Sequence, residues 1–241
     1  MAGVVHLGNL MIPVELGGPD RKARLTIERD GSLTLRAAAD VNIEELRAFV
    51  SAKRDWIYRK LAQKDVLRYK PVTKELVSGE GFLYLGSSHQ LRIAPDRHGS
   101  VKLIRGRLML PADREDDGFD AIIEWYEARG RDWLPERVER WATRLRVSAT
   151  QFEVGDLGHK WGSADGYGRV RIHWATMQLR PPLIDYVIAH ELAHLQQPHH
   201  GPAFWQLLRR AQPDFEERKA ELARVGGSLW IGATRASDNE A

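Results

Sequence analysis

Residues 186–205, YVIAHELAHLQQPHHGPAFW, decide how this 241-residue chain is read. From Leu183 to Leu195 apolar residues fall on nearly every side (Leu183, Ile184, Val187, Ile188, Ala189, Leu192, Ala193, Leu195), which predicts a helix buried in the core. Three ionisable residues, His190, Glu191 and His194, sit in its middle. Each would cost several kcal/mol if buried without a partner, so such a helix needs something that satisfies all three together. A divalent metal does this. His190 and His194 are four apart, which places both imidazoles on one helical face, one turn apart, while Glu191 projects beside them and stays free to take a proton.

Catalytic zinc takes three protein ligands and leaves a fourth position open. His200 lies six residues beyond His194, the spacing found in H-E-x-x-H-x-x-G-x-x-H proteins. Gln197 stands where those proteins have glycine, but Pro198 follows it, lacks a backbone donor and ends the helix, so the turn is still encoded. His199 competes for the same role and reads as an exposed loop residue. An acidic residue on a later helix, Glu216, Glu217 or Glu221, is the other alternative, and the spacing favours His200 over all of these.

The composition is that of an ordinary globular protein, 43% hydrophobic and 29% charged, long enough for one large domain or two small ones. There is no cysteine, so a metal must rest on histidine and carboxylate. No apolar run reaches membrane-spanning length and the first residues lack a secretory pattern, which together predict a cytoplasmic location. The net charge of +3 and pI near 9.2 are compatible with acidic partners without requiring them.

Ahead of the metal segment, short apolar runs broken by turn signals predict antiparallel strands over residues 3–37, with Asp30-Gly31 as the strongest hairpin signal. Asp40 or Asn42 caps a helix running to about Lys64, whose outer face carries Arg47, Lys53, Arg54, Arg59, Lys60 and Lys64. That face can track phosphates, but solvated helices look the same, and nucleic acid is not the favoured partner. A second strand group follows between Glu75 and Leu110. The acidic stretch 113–117 is read as the join between a β-rich region with one long helix, 1–112, and a domain spanning 118–232, with a polar disordered tail at 233–241. Residues 119–145 predict a long helix bent near Gly130 and Pro135. Gln151–Val154 and a hairpin built from His159–Ser163 and Arg169–Trp174 precede the metal helix.

The order KWGS (Lys160–Ser163), His173-Trp174, IDYVIAHELAHL and HHGPAFW resembles the YgjP-like metal-dependent hydrolases, relatives of the SprT-type zinc metallopeptidases in the zincin group. Lys160, Ala164 and His173 stand where that pattern usually has Arg, Cys and Asn, and these departures leave the metal set intact. The resemblance implies an α+β fold: a zincin-like core, made of an antiparallel sheet edge and the HExxH helix, preceded by the β-rich region and basic helix. It implies one zinc ion per chain held by His190, His194 and His200, with Glu191 as general base acting on a polypeptide substrate. Trp161, Ser163, Arg171, His173 and Trp174 are the expected substrate contacts, and Arg169–Trp174 is the strand whose edge an extended peptide can join.

Two rival functions use the same residues. A nucleoside triphosphate pyrophosphatase could hold phosphates with Lys160, Arg169 and Arg171, although no glycine-rich phosphate loop is present. A non-enzymatic DNA- or protein-binding module would use the metal structurally, but a structural zinc takes four closed ligands and this segment supplies three.

Overall fold

The computed structural model describes residues 3–8, 10–17, 23–27, 33–65, 72–95, 98–158 and 160–232. Asp30-Gly31, His159 and the tail from 233, which carry expectations above, lie outside these. The chain forms two compact units, Met1–Pro71 and Val72–Ala241. This division falls earlier than the acidic stretch at 113–117, because the second strand group packs into the core of the later unit.

In the first unit, β1 (Gly3–Leu7), β2 (Leu10–Leu16), β3 (Arg24–Ile27) and β4 (Leu33–Ala37) form one sheet in the order β1-β2-β4-β3. Alternate residues Val5 and Leu7, Ile12 and Val14, Leu33 and Leu35 point to one face and are buried there. Against them lie Leu46 and Val50 of α1 (Ile43–Ala52) and Ile57 of α2 (Arg54–Asp65). The side chain of Asn42 accepts from the Glu44 amide at 2.9 Å and caps α1. The single helix expected here is two, parted at Lys53, whose backbone leaves the helical region (φ −97°, ψ 8°).

The second unit opens with β5 (Gly81–Tyr84), β6 (Ser87–Ala94), β7 (Lys102–Ile104) and β8 (Arg107–Pro111), in the order β5-β6-β8-β7. Its tight turns place Leu85 and Gly86, and Arg105 and Gly106, at positive φ, the mirror-image geometry that matches strand twist. The antiparallel pattern expected over residues 3–37 is corrected: β2 runs parallel to β4, because the second hairpin inserts its later strand beside β2, and the second sheet repeats the plan with β6 parallel to β8.

Two helices follow, α3 (Gly118–Trp133) and α4 (Pro135–Leu145), separated at Leu134 because Pro135 cannot donate to the ladder. The third sheet holds β9 (Gln151–Gly155), β10 (Gly162–Ala164) and β11 (Arg169–His173), in the order β10-β11-β9. β11 is central, antiparallel to β10 and parallel to β9, so it has no free edge to offer and this sheet too is mixed. β10 and β9 are its edges. The chain then passes through a 3-10 segment (Trp174–Gln178) into α5 (Pro181–His194), α6 (Pro202–Ala211) and α7 (Phe215–Val225).

Candidate metal centre

Helix α5 is buried on almost every side, with Leu183, Ile184, Val187, Ile188, Ala189, Leu192 and Ala193 all at 2% exposure or less. Its start is encoded locally: Pro181 and Pro182 occupy the first turn, where missing amide hydrogens are harmless, and Asp185 lies near the positive helix end. Arg137 of α4 holds that carboxylate through both oxygens at 2.7 and 2.9 Å and lies over the Trp133 ring at 3.8 Å. From the other side, the β5–β6 turn donates its Leu85 and Gly86 amides to the Met177 and Gln178 carbonyls at 2.8 and 3.2 Å. A side chain at Gly86 would run into Arg180, so glycine there allows the turn to seat directly ahead of α5.

This anchoring delivers three imidazoles to one point. His190 and His194 come from α5, His200 comes from the loop before α6, and one ring nitrogen of each lies within 4.8 Å of the others. Among the described residues no other group of His, Cys, Asp or Glu is disposed this way. Nε2 of His200 is 2.9 Å from Nε2 of His190. His194 Nδ1 is 3.1 Å from the Gln197 carbonyl, an acceptor, so Nδ1 carries the proton and Nε2 keeps its lone pair.

Burial is the main cause holding all three rings below the ordinary histidine range, with the other imidazoles adding to it at His190 and His200. His190 is pushed down to about 3, by burial first and then by His194, His200 and Lys219. Neutral imidazoles with converging nitrogens are the form a divalent cation takes up. His190 meets the cluster through Nε2, 2.9 Å from His200 Nε2, while its buried Nδ1 on the other side of the ring has no hydrogen-bond partner among the described residues. The donor set therefore fits a metal with nitrogen preference such as zinc.

Glu191 stands beside this cluster, 8% exposed. Burial raises its carboxyl to about 7, against the opposing pull of the Lys160 charge. Gly162 of β10 lies against its side chain: a Cβ there would meet Glu191 Cγ at 2.5 Å and Cδ at 3.0 Å, with the Arg171 carbonyl at 3.1 Å. Tyr186 is also near, its phenol pushed up to about 12 by burial and the Glu191 charge.

The alternatives for the third ligand are engaged elsewhere. Glu216 pairs with Arg209 and Glu221 with Arg180 and Arg218, while Glu217 and His199 are exposed and outside the cluster. The expected substrate residues divide. Trp161 and Ser163 are half-buried on or beside the edge strand, and Arg171 is exposed with Nε 3.3 Å from the Ser163 hydroxyl. His173 and Trp174, each 1% exposed, have no surface for a peptide. The Nδ1 of His173 instead accepts the Ala175 amide at 2.9 Å, and Trp174 stacks on Tyr126 at 5.6 Å and meets Trp230 edge-on at 5.4 Å. Of the cations proposed for phosphates, Arg169 is bonded to Gln151 at 3.0 Å.

Sequence reasoning passed over Gly162, Phe204, Trp205 and Lys219. Phe204 is fully buried with its ring 4.7 to 5.0 Å from all three imidazoles. The only sequence signal was the aromatic pair four and five residues past the last histidine, which reads equally well as ordinary core.

An HExxH helix with a third histidine behind it, set in a mixed α+β unit, is the arrangement of a metal-dependent hydrolytic domain. The chain belongs to the YgjP-like family, whose metallopeptidase-domain model matches residues 21–225. Among solved structures, the metallopeptidase zymogen of Pyrococcus abyssi abylysin is similar over 37% of this chain and 90% of its own, at 20% identity and a TM-score of 0.35. No curated protein matches the chain. Among the described residues no helix is long and apolar enough to cross a membrane.

Proposed function

We propose that this chain is a zinc-dependent peptidase of the zincin type, with His190, His194 and His200 as ligands and Glu191 as general base. The observation that carries it is the meeting of three imidazoles, within 4.8 Å of one another, beside a buried carboxylate. A zinc ion held by His190, His194 and His200 would supply Lewis acidity toward a carbonyl and a water. Glu191 takes the proton from the attacking water and returns it to the leaving amine, a role open to a carboxylate that stands beside the cluster without belonging to the ligand set. Gly162 keeps the carboxylate in place. The peptide lies along β10, the terminal strand next to Glu191, where backbone pairing holds an extended chain and Ser163 and Arg171 border it.

The test compares alanine at each histidine with glutamine at Glu191. His190→Ala, His194→Ala and His200→Ala should each lose zinc by elemental analysis. Glu191→Gln should retain zinc while turnover of an unfolded polypeptide falls at least about 100-fold. Loss of zinc in Glu191→Gln would make Glu191 a ligand. Turnover of nucleoside triphosphates, and not polypeptide, by the zinc-loaded parent would overturn the peptidase reading.

A further inference from the structure

Two of the three candidate ligands are fixed by helix α5, but His200 is exposed and comes from a loop that follows Pro198. A loop imidazole with free rotamers would bind metal weakly, since affinity falls by the fraction of time the ring spends in place. Trp205 removes that freedom at two points. Its ring stacks on the His200 imidazole, with centroids 5.4 Å apart and planes at 19°, and its Nε1–H donates to the His200 carbonyl at 3.0 Å. Side chain and main chain of one ligand are thus held by one residue.

Trp205 is braced in turn from α7. The Phe215 ring stacks on it at 5.7 Å and 19°, and the Lys219 ammonium lies 4.2 Å from its ring centroid. Phe204 meets Trp205 at a right angle, 88° at 4.9 Å, so the indole has little room to turn. We infer that Trp205 is a positioning residue for the third metal ligand, and that α7 sets metal affinity through it without touching the metal centre's nitrogens. This rests on the ligand assignment proposed above.

The experiment measures zinc dissociation constants by competition with a chromophoric chelator, at a temperature where circular dichroism shows each variant folded. Trp205→Leu, which loses both stack and donor, should weaken zinc about 10- to 100-fold. Trp205→Phe keeps a ring without the N–H and should fall between. With cobalt substituted for zinc, the visible spectrum of Trp205→Leu should shift toward that of His200→Ala, and saturating zinc should restore its kcat. A lowered Tm with an unchanged dissociation constant would reduce Trp205 to packing and overturn the inference. So would a kcat still depressed at saturating zinc, which would place Trp205 against substrate. His200→Ala separates the two layers: normal zinc affinity in that variant sinks the ligand assignment, whereas lost affinity there with normal affinity in both Trp205 variants sinks only this inference.

Discussion

A methyl group at Gly162 has nowhere to go except into the Glu191 side chain or the Arg171 carbonyl. The backbone at Gly162 is ordinary extended strand, so the requirement for glycine is steric and comes from the carboxylate. Gly162→Ala should therefore keep zinc within about threefold of the parent and lower kcat/KM roughly 100-fold, the loss that accompanies an ångström of misplacement. Elemental analysis and steady-state kinetics on one preparation check this, and unchanged kinetics would mean that the carboxylate tolerates displacement. The contrast with the histidines shows what a sequence encodes openly. His190 and His194 announce themselves because helical spacing converts directly into shared facing. Gly162 lies 29 positions before Glu191 and meets it only through the placement of β10 on α5, which no local pattern specifies. His173 misled for a related reason: a strand-end histidine before Trp174 looks available until the 3-10 turn folds its amide onto the ring.

At the scale of the element, α5 is an apolar helix that carries opposed titrations. His190, with a folded pKa of about 3 against 6.5 unfolded, binds fewer protons when folded, so its contribution to stability is lost as pH falls below about 6.5. Glu191, at about 7 against 4.5, binds more protons when folded, so its contribution is largest below 4.5 and is lost as pH rises through 7. In the metal-free protein Glu191→Gln removes only the second effect. The variant should be more stable than the metal-free parent by roughly 2–3 kcal/mol at pH 8 and about equal to it at pH 4.5. Urea unfolding at the two pH values measures this, and coincident curves at pH 8 would show that the carboxylate is not held in a dry site. The helix itself was legible from apolar residues falling on nearly every side of it. Strand directions were not: Val170, Ile172 and Trp174 alternate as any half-buried strand does, and nothing in that period says whether a strand is flanked on one side or both. β11 proved to be flanked on both.

At the scale of the molecule, the buried residues of the core around the candidate metal centre, among the described residues, come from the second unit, from Phe82 to Trp230. A fragment of residues 72–241 should bind zinc within about threefold of the full chain's affinity, as isothermal titration can measure; loss of binding in a folded fragment would show that residues 1–71 complete the site. The two strand groups were visible as groups, but the acidic stretch at 113–117 gave a false boundary, because charge marks solvent exposure and not the edge of a core. It sits between β8 and α3, both of which bury side chains in the same core. The two four-stranded sheets share one plan, a hairpin followed by a second hairpin whose last strand runs parallel to the first hairpin's inner strand. Partners across that parallel seam are 21 residues apart in one sheet (Val14 and Leu35) and 17 in the other (Gln90 and Arg107). Partners beside the tight turns, such as Tyr84 and Ser87 or Ile104 and Arg107, are three apart. Hairpins of that kind close in about 1–10 μs, whereas longer-range pairing must first meet the entropy of closing a larger loop. The register of each sheet therefore suits hierarchical assembly, in which preformed hairpins meet and zip along one parallel seam.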